Sequence, residues 1–232
     1  MQYDKGTKYP GRYEIKSHLN RPQTLLISAT GKLELHHDDG GGKMQEYVDQ
    51  AIVRIRKGKE YFSFPGRERD LLFETPYHHA ADSPINCCDK CDLTHLLTDR
   101  ESRKTPSVHY GLVASADTLL RDGELRDEMH KKHGVLCFEM EAAGLANRIP
   151  CLAICGIADY ADTHKNKQWQ PYAAVTAAAY ARDLLGVISP QKVEESESAL
   201  KQCTLHFRVQ DVGQKPLALS GPSSTDHVFL SL

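Results

Sequence analysis

No stretch of this sequence approaches the roughly 18 consecutive apolar residues that a membrane-spanning helix needs. Its opening, MQYDKGTKYPGRYEI, holds no apolar core of the kind a secretory signal carries. Charge of one sign is missing as well: 29 Lys and Arg stand against 31 Asp and Glu, for a net charge of −2. Without a basic surplus, composition gives no argument for a nucleic-acid or membrane partner. The cysteines also argue against a disulfide framework. Seven Cys is an odd number, and Cys137, Cys151 and Cys155 lie inside apolar runs. Reduced thiols in a cytoplasmic protein are the expectation. The glycines of Asp38–Gly42 (DDGGG) lead into Lys43-Met44, not into the spaced Gly and Lys-Ser/Thr of a phosphate-cradling loop, so they form a plain turn. There are no internal repeats.

What is present suits a globular domain. The 232 residues, 40% hydrophobic and 26% charged, are enough for one sizeable core. Residues Met1–Asn20 are polar, with little that could bury a face. Leu25–Ala29 (LLISA) reads as a short strand. Met44–Lys57 carries Tyr47, Val48, Ala51, Ile52 and Ile55 at helical spacing, and Arg67–Thr75 reads as a helical turn. Residues 76–106 form an irregular, polar insertion. Then strand and helix alternate: Tyr110–Ser115, a charged helix over Glu124–Lys132, a strand over Gly134–Phe138, a short helix over Met140–Asn147 and a strand over Cys151–Ile157. That alternation predicts parallel βαβ units. Pro171–Ile188 is an Ala-rich helix opened by proline in its first turn. Past Ser189 the composition turns to Glu, Ser, Lys and then Gly, Pro, Ser. Residues 189–232 therefore read as a linker and disordered tail, with Thr204–Val209 as a strand only if something pairs with it.

Two of these strands release carboxylates as they leave their apolar runs. Glu139 and Glu141 follow the first, and Asp159 and Asp162 follow the second. Ligands of open α/β sheets sit beyond the carboxyl ends of the strands, so the four acids mark a candidate site. A plain structural role stands beside each one. Asp159 could cap a helix, and Glu141 could face a helix dipole. Glu139 is expected to meet solvent or a salt bridge, and Asp162 to orient its loop. In the insertion, Cys88-x-x-Cys91 with His95 after it and His78-His79 before it is compatible with zinc-ligand spacing. A single C-x-x-C is a weak signal, free thiols in an exposed loop are the favoured reading, and no metal ligand is assigned.

The stretches HYGLVAS (His109–Ser115), GVLCFEMEAAGLAN (Gly134–Asn147) and GIADYADTHKNKQWQPYAA (Gly156–Ala174) together resemble the purine and uridine phosphorylase superfamily. Within it the chain is most similar to nucleosidase-like modules at the front of large fungal proteins. The resemblance implies an α/β, three-layer phosphorylase/hydrolase-like fold with a mixed central sheet over residues 1–188, incomplete on its N-terminal side. The family normally begins upstream of QYDKG (Gln2–Gly6), and the missing part carries phosphate-binding and water-activating residues. The implied reaction is cleavage of a purine nucleoside or nucleotide at its N-glycosidic bond. Asp159 would donate a proton to purine N7, and Glu141 would accept both ribose hydroxyls. Met140 would pack on the ribose, with Glu139 counted beside it. Trp169 would close over the substrate, or else serve the core. Leu119 stands where relatives often stack an aromatic on the base, a weaker platform. Ala158 replaces a hydroxyl residue of some relatives. No cofactor is implied beyond phosphate as co-substrate of a phosphorylase. The partner expected is a small-molecule nucleoside or nucleotide, and relatives suggest a homo-oligomer. The alternatives are a catalytically inactive module that binds a nucleoside or a protein, and a zinc-stabilised interaction domain built on Cys88 and Cys91.

Overall fold

The computed structural model describes residues 1–10, 12–17, 19–84, 87–100, 105–195 and 227–231. The polar start forms strands β1 (Gln2–Tyr9) and β2 (Arg12–Ser17), an antiparallel hairpin. Its expected lack of a buried face is corrected by Tyr3 and Ile15, which pack with Met1, Ala114 and Val135; Tyr3 meets Phe138 edge to face. The predicted strand at Leu25–Ala29 is instead part of helix α1 (Thr24–Asp38). Its apolar residues continue at helical spacing, burying Ala29, Thr30 and Leu33 on one side. Helix α2 (Met44–Arg54) buries Met44 and Val48 as its periodicity predicts, and a single turn, α3 (Lys59–Phe62), follows. Arg67–Arg69 is a short 3-10 turn.

Strand β3 (Ser107–Ser115) is the hub of a mixed sheet. Helix α4 (Gly123–His133) crosses over to β4 (Val135–Glu139), which pairs parallel with the second half of β3. Its ends follow the sequence: Asp122 accepts the N–H of Leu125, four basic residues fill the last turn, and Gly134 at φ 69° closes it. A one-turn helix, α5 (Ala142–Leu145), leads to β5 (Ile154–Gly156). Helix α6 (Gln170–Val187) then packs with α1 and α2 around Tyr180, Leu33 and Val48, all shut off from solvent. Each such side chain contributes about 1.5–3 kcal/mol. The buried Asp183 of α6 accepts from Nε2 of His37 and from the N–H of Lys43, both at 2.9 Å. That fixes the link between α1 and α2.

Two features depart from the tail reading of 189–232. Pro190–Glu195 forms a short helix, α7. His227–Ser231 forms strand β6, which runs between β3 and β5, antiparallel to the first and parallel to the second. Five residues suffice because both neighbours offer a full row of backbone partners. Residues 204–209 lie outside the described residues. The architecture is the α/β arrangement expected, a mixed sheet with helices packed against it.

Candidate active site

At the carboxyl ends of β4 and β5 lies a cavity of about 880 Å³. Asp159, Glu141, Met140, Glu139, Trp169 and Leu119 all line it, so the structure brings together every residue that the resemblance named for the substrate. They do so on different footings. Met140, Glu141 and Leu119 are exposed at the opening. Trp169 is buried, its indole N–H donating to the carbonyl of Arg69 at 3.0 Å, its ring against Phe64. It is at once core and cavity wall.

Glu139 departs from its expected place in solvent or a salt bridge. Its Oε2 accepts the N–H groups of Glu141 and Ala142, each at 2.8 Å, at the start of α5. Its Oε1 is buried and has no partner among the described residues. An unpartnered buried acceptor is costly, about 1–3 kcal/mol. Glu141 points its Oε2 back to the N–H of Met140 at 3.0 Å.

Asp159 does not cap a helix. It opens a tight loop in which its Oδ1 accepts the N–H of Ala161 at 2.9 Å, while its Oδ2 lies 2.6 Å from Nζ of Lys165. Both side chains of that pair are mostly withdrawn from solvent. Ala161 takes φ 53°, a left-handed conformation costing a non-glycine residue roughly 1–2 kcal/mol. The loop is held there from outside. The carbonyl of Ala161 accepts from the N–H of Asp122, and the carbonyl of Tyr160 from Arg126, at 2.9 and 2.8 Å. Tyr160 donates its hydroxyl to Asp70, and Arg100 braces both residues. Burial, helped by Asp70, pushes the Tyr160 phenol up to about 12. Asp162 turns inward, accepting the N–H of His164 at 2.9 Å, with Arg126 at 3.9 Å. Burial raises its carboxyl above the usual range despite these partners.

Cations are what the sequence reading missed. Arg69, Arg121, Lys165 and Lys167 also line the cavity. They come from three separate segments, so no local motif announces them. The signal nearest to legible was Lys165 and Lys167 in the loop after Asp159.

The family model of the phosphorylase superfamily matches residues 56–186, more than half the chain, from α3 to the end of α6. The chain belongs to the phosphorylase superfamily. A nucleotide-binding leucine-rich repeat (NLR)-like protein of Hyaloscypha variabilis is 37% identical over 195 residues, which are 84% of this chain and 19% of that protein. A death domain-containing ATP nucleosidase of Amphimedon queenslandica is 32% identical over 117 residues, 47% of this chain and 22% of that protein. The chain thus spans about a fifth of the length of the curated relatives it matches. No solved structure matches it significantly. The superfamily match takes in every cavity residue named above, from Arg69 to Trp169.

Proposed function

We propose that this phosphorylase-superfamily domain cleaves the N-glycosidic bond of a purine nucleoside or nucleotide, releasing the free base. The observation that carries the reading is that two acid groups line one cavity: Glu139 and Glu141 from the end of β4, and Asp159 with Lys165 from the loop after β5. Breaking the bond between ribose C1′ and purine N9 leaves positive charge on the sugar and negative charge on the base. Carboxylates beside the ribose favour the first, and a proton delivered to N7 relieves the second. The Asp159–Lys165 pair is the source of that proton: N7 takes it as the bond to C1′ breaks, leaving the pair one proton short until solvent restores it. Oε1 of Glu139, buried and with no partner among the described residues, is an acceptor that a ribose hydroxyl would satisfy. Glu141 offers its carboxylate to the second hydroxyl. Met140 and Leu119 supply apolar surface at the opening, and Trp169 the wall. Water or phosphate completes the reaction at C1′.

The cations lining the cavity, Arg69, Arg121 and Lys167, suit a phosphorylated ribose, and one relative is named an ATP nucleosidase. Nucleotides therefore stand beside nucleosides as the substrate class. The decisive assay follows base release from ATP, adenosine, inosine and methylthioadenosine, with and without phosphate, by the wild-type chain and Asp159→Asn. Release that falls ~10²-fold or more in Asp159→Asn supports the reading. Dependence on phosphate would name a phosphorylase, and independence a hydrolase. No release from a folded chain would overturn it and leave a nucleoside- or protein-binding module.

A further inference from the structure

The insertion and the loop after β5 meet at four side chains that this chemistry does not use. Sγ of Cys88 and Sγ of Cys91 lie 3.8 and 3.7 Å from one atom, Nδ1 of His164. Donor atoms of His79, Cys88 and Cys91 all fall within 4.8 Å of one another, and the rings of His79 and His164 stand 5.6 Å apart. Cys91 and His164 are buried, Cys88 and His79 half-buried. The thiols are free, as expected, but Cys91 is buried and Cys88 half-buried where an exposed loop was expected. The cluster also differs from the spacing that pointed to His95, which instead meets Glu74 at 3.0 Å and stacks on Tyr77.

Both imidazoles are set as ligands by their outer hydrogen bonds. Nε2 of His164 is 3.1 Å from the carbonyl of Tyr77, and Nε2 of His79 is 2.8 Å from that of Cys87. A carbonyl only accepts, so each Nε2 carries the proton and each Nδ1 keeps its lone pair. Such second partners are what hold metal-bound histidines in tautomer and orientation. A tetrahedral site with zinc–sulfur and zinc–nitrogen bonds of about 2.3 and 2.0 Å separates nitrogen from sulfur by about 3.6 Å, close to the spacing here. Cys88 and Cys91 are free of any disulfide, so both sulfurs are available as ligands.

We propose that Cys88, Cys91, His79 and His164 bind one zinc ion, stapling the insertion to the loop that carries Asp159 and Asp162. Binding displaces the two thiol protons to solvent. Two thiolates and two neutral imidazoles around a divalent ion leave the cluster uncharged, as a largely buried site requires. Soft sulfur with imidazole in a tetrahedral set favours zinc over the oxygen-seeking cations. The shell around it is built as well: Phe73 stacks on His164 at 4.0 Å, Asp162 holds the N–H of His164, and the N–H of His79 donates to Thr163. Four protein ligands leave no open position, so the ion is structural. This site stands whether or not the domain cleaves nucleosides.

The test needs no substrate. The full chain is purified without added metal, stripped with a chelator, and titrated with zinc against a chromogenic competitor; cobalt(II) replaces zinc in a parallel sample. One equivalent bound, a tetrahedral thiolate–cobalt spectrum and a rise in melting temperature on adding zinc are expected. Cys88→Ser with Cys91→Ser abolishes uptake, His164→Asn weakens it at least about tenfold, and His95→Ala retains full stoichiometry. A folded wild-type chain that takes up no zinc overturns the proposal. So does full uptake by the double Cys variant, or loss of uptake in His95→Ala.

Discussion

Lys165 stands 2.6 Å from Asp159 with both side chains mostly out of solvent, so each is the other's principal electrostatic partner. Removing the ammonium while keeping the chain length, in Lys165→Met, leaves Asp159 as an unpaired acid beside an apolar stem. If the pair delivers the proton to the leaving base, Lys165→Met should lower kcat/KM for base release by roughly 10–100-fold, short of the Asp159→Asn loss. Steady-state assays check this, with the fluorescence of Trp169, the single Trp, reporting that the cavity wall is intact. An unchanged kcat/KM would reduce Lys165 to a surface charge. The acids of this site were legible before any coordinates, because each leaves an apolar strand run at a sheet's carboxyl end. Their partners were not. Lys165 could have been suspected from its position, but Arg69 and Arg121 reach the cavity through folding of distant segments. The inward turn of Glu139 was equally hidden, since alternation along β4 says nothing about which N–H groups its carboxylate meets at α5.

Among the elements, β5 and α6 bear most directly on the proposed reaction, since the segment between them carries Asp159 and Trp169. They approach so closely at Gly156 that a Cβ there would sit 2.2 Å from the carbonyl oxygen and 3.2 Å from the Cα of Ala173. Backbone cannot step aside as a side chain can. Gly156→Ala should therefore cost about 1–3 kcal/mol, a fall of roughly 2–12 °C in melting temperature for a chain of this size. It should also depress base release more than a control at an open site such as Gly144→Ala, where nothing lies within 4 Å. Differential scanning calorimetry and the release assay check the two halves; equal effects at both glycines would mean β5 and α6 do not meet this closely in solution. Element type was readable wherever periodicity was long, as in α2, α4 and α6. It was misread at Leu25–Ala29, where the five-residue run LLISA fits strand and helix alike and only the buried triad Ala29, Thr30 and Leu33 decides. The hairpin of β1 and β2 was missed for a related reason: Tyr3 and Ile15 are two apolar contacts in a polar segment, and their worth depends on Phe138 and Val135 far along the chain.

At the scale of the whole molecule, the sheet depends on residues that composition assigns to a tail. Strand β6 is the only described strand that joins β5 to β3, with Ile154, Cys155 and Gly156 pairing to Val228, Phe229 and Leu230 on one side and Ser107–Gly111 pairing on the other. Five residues, H-V-F-L-S, carry too short a pattern to outweigh the Gly, Pro and Ser around them, and strand pairing over more than 70 positions leaves no local trace. Removing residues 227–232 would strip two rows of backbone N–H and C=O groups, on β3 and β5, of their partners, at about 1 kcal/mol for each bond lost. It would also leave β3 and β5 as open edges that invite pairing with another copy. The expected outcome is a melting temperature lower by ~10 °C or more, self-association visible by size-exclusion chromatography, and loss of base release as the loop after β5 loses its support. A truncated chain that melts and elutes like the full one would show that β5 holds its place without β6, and that the Asp159 loop is kept in position from the other side, by Asp122, Arg126 and the zinc staple.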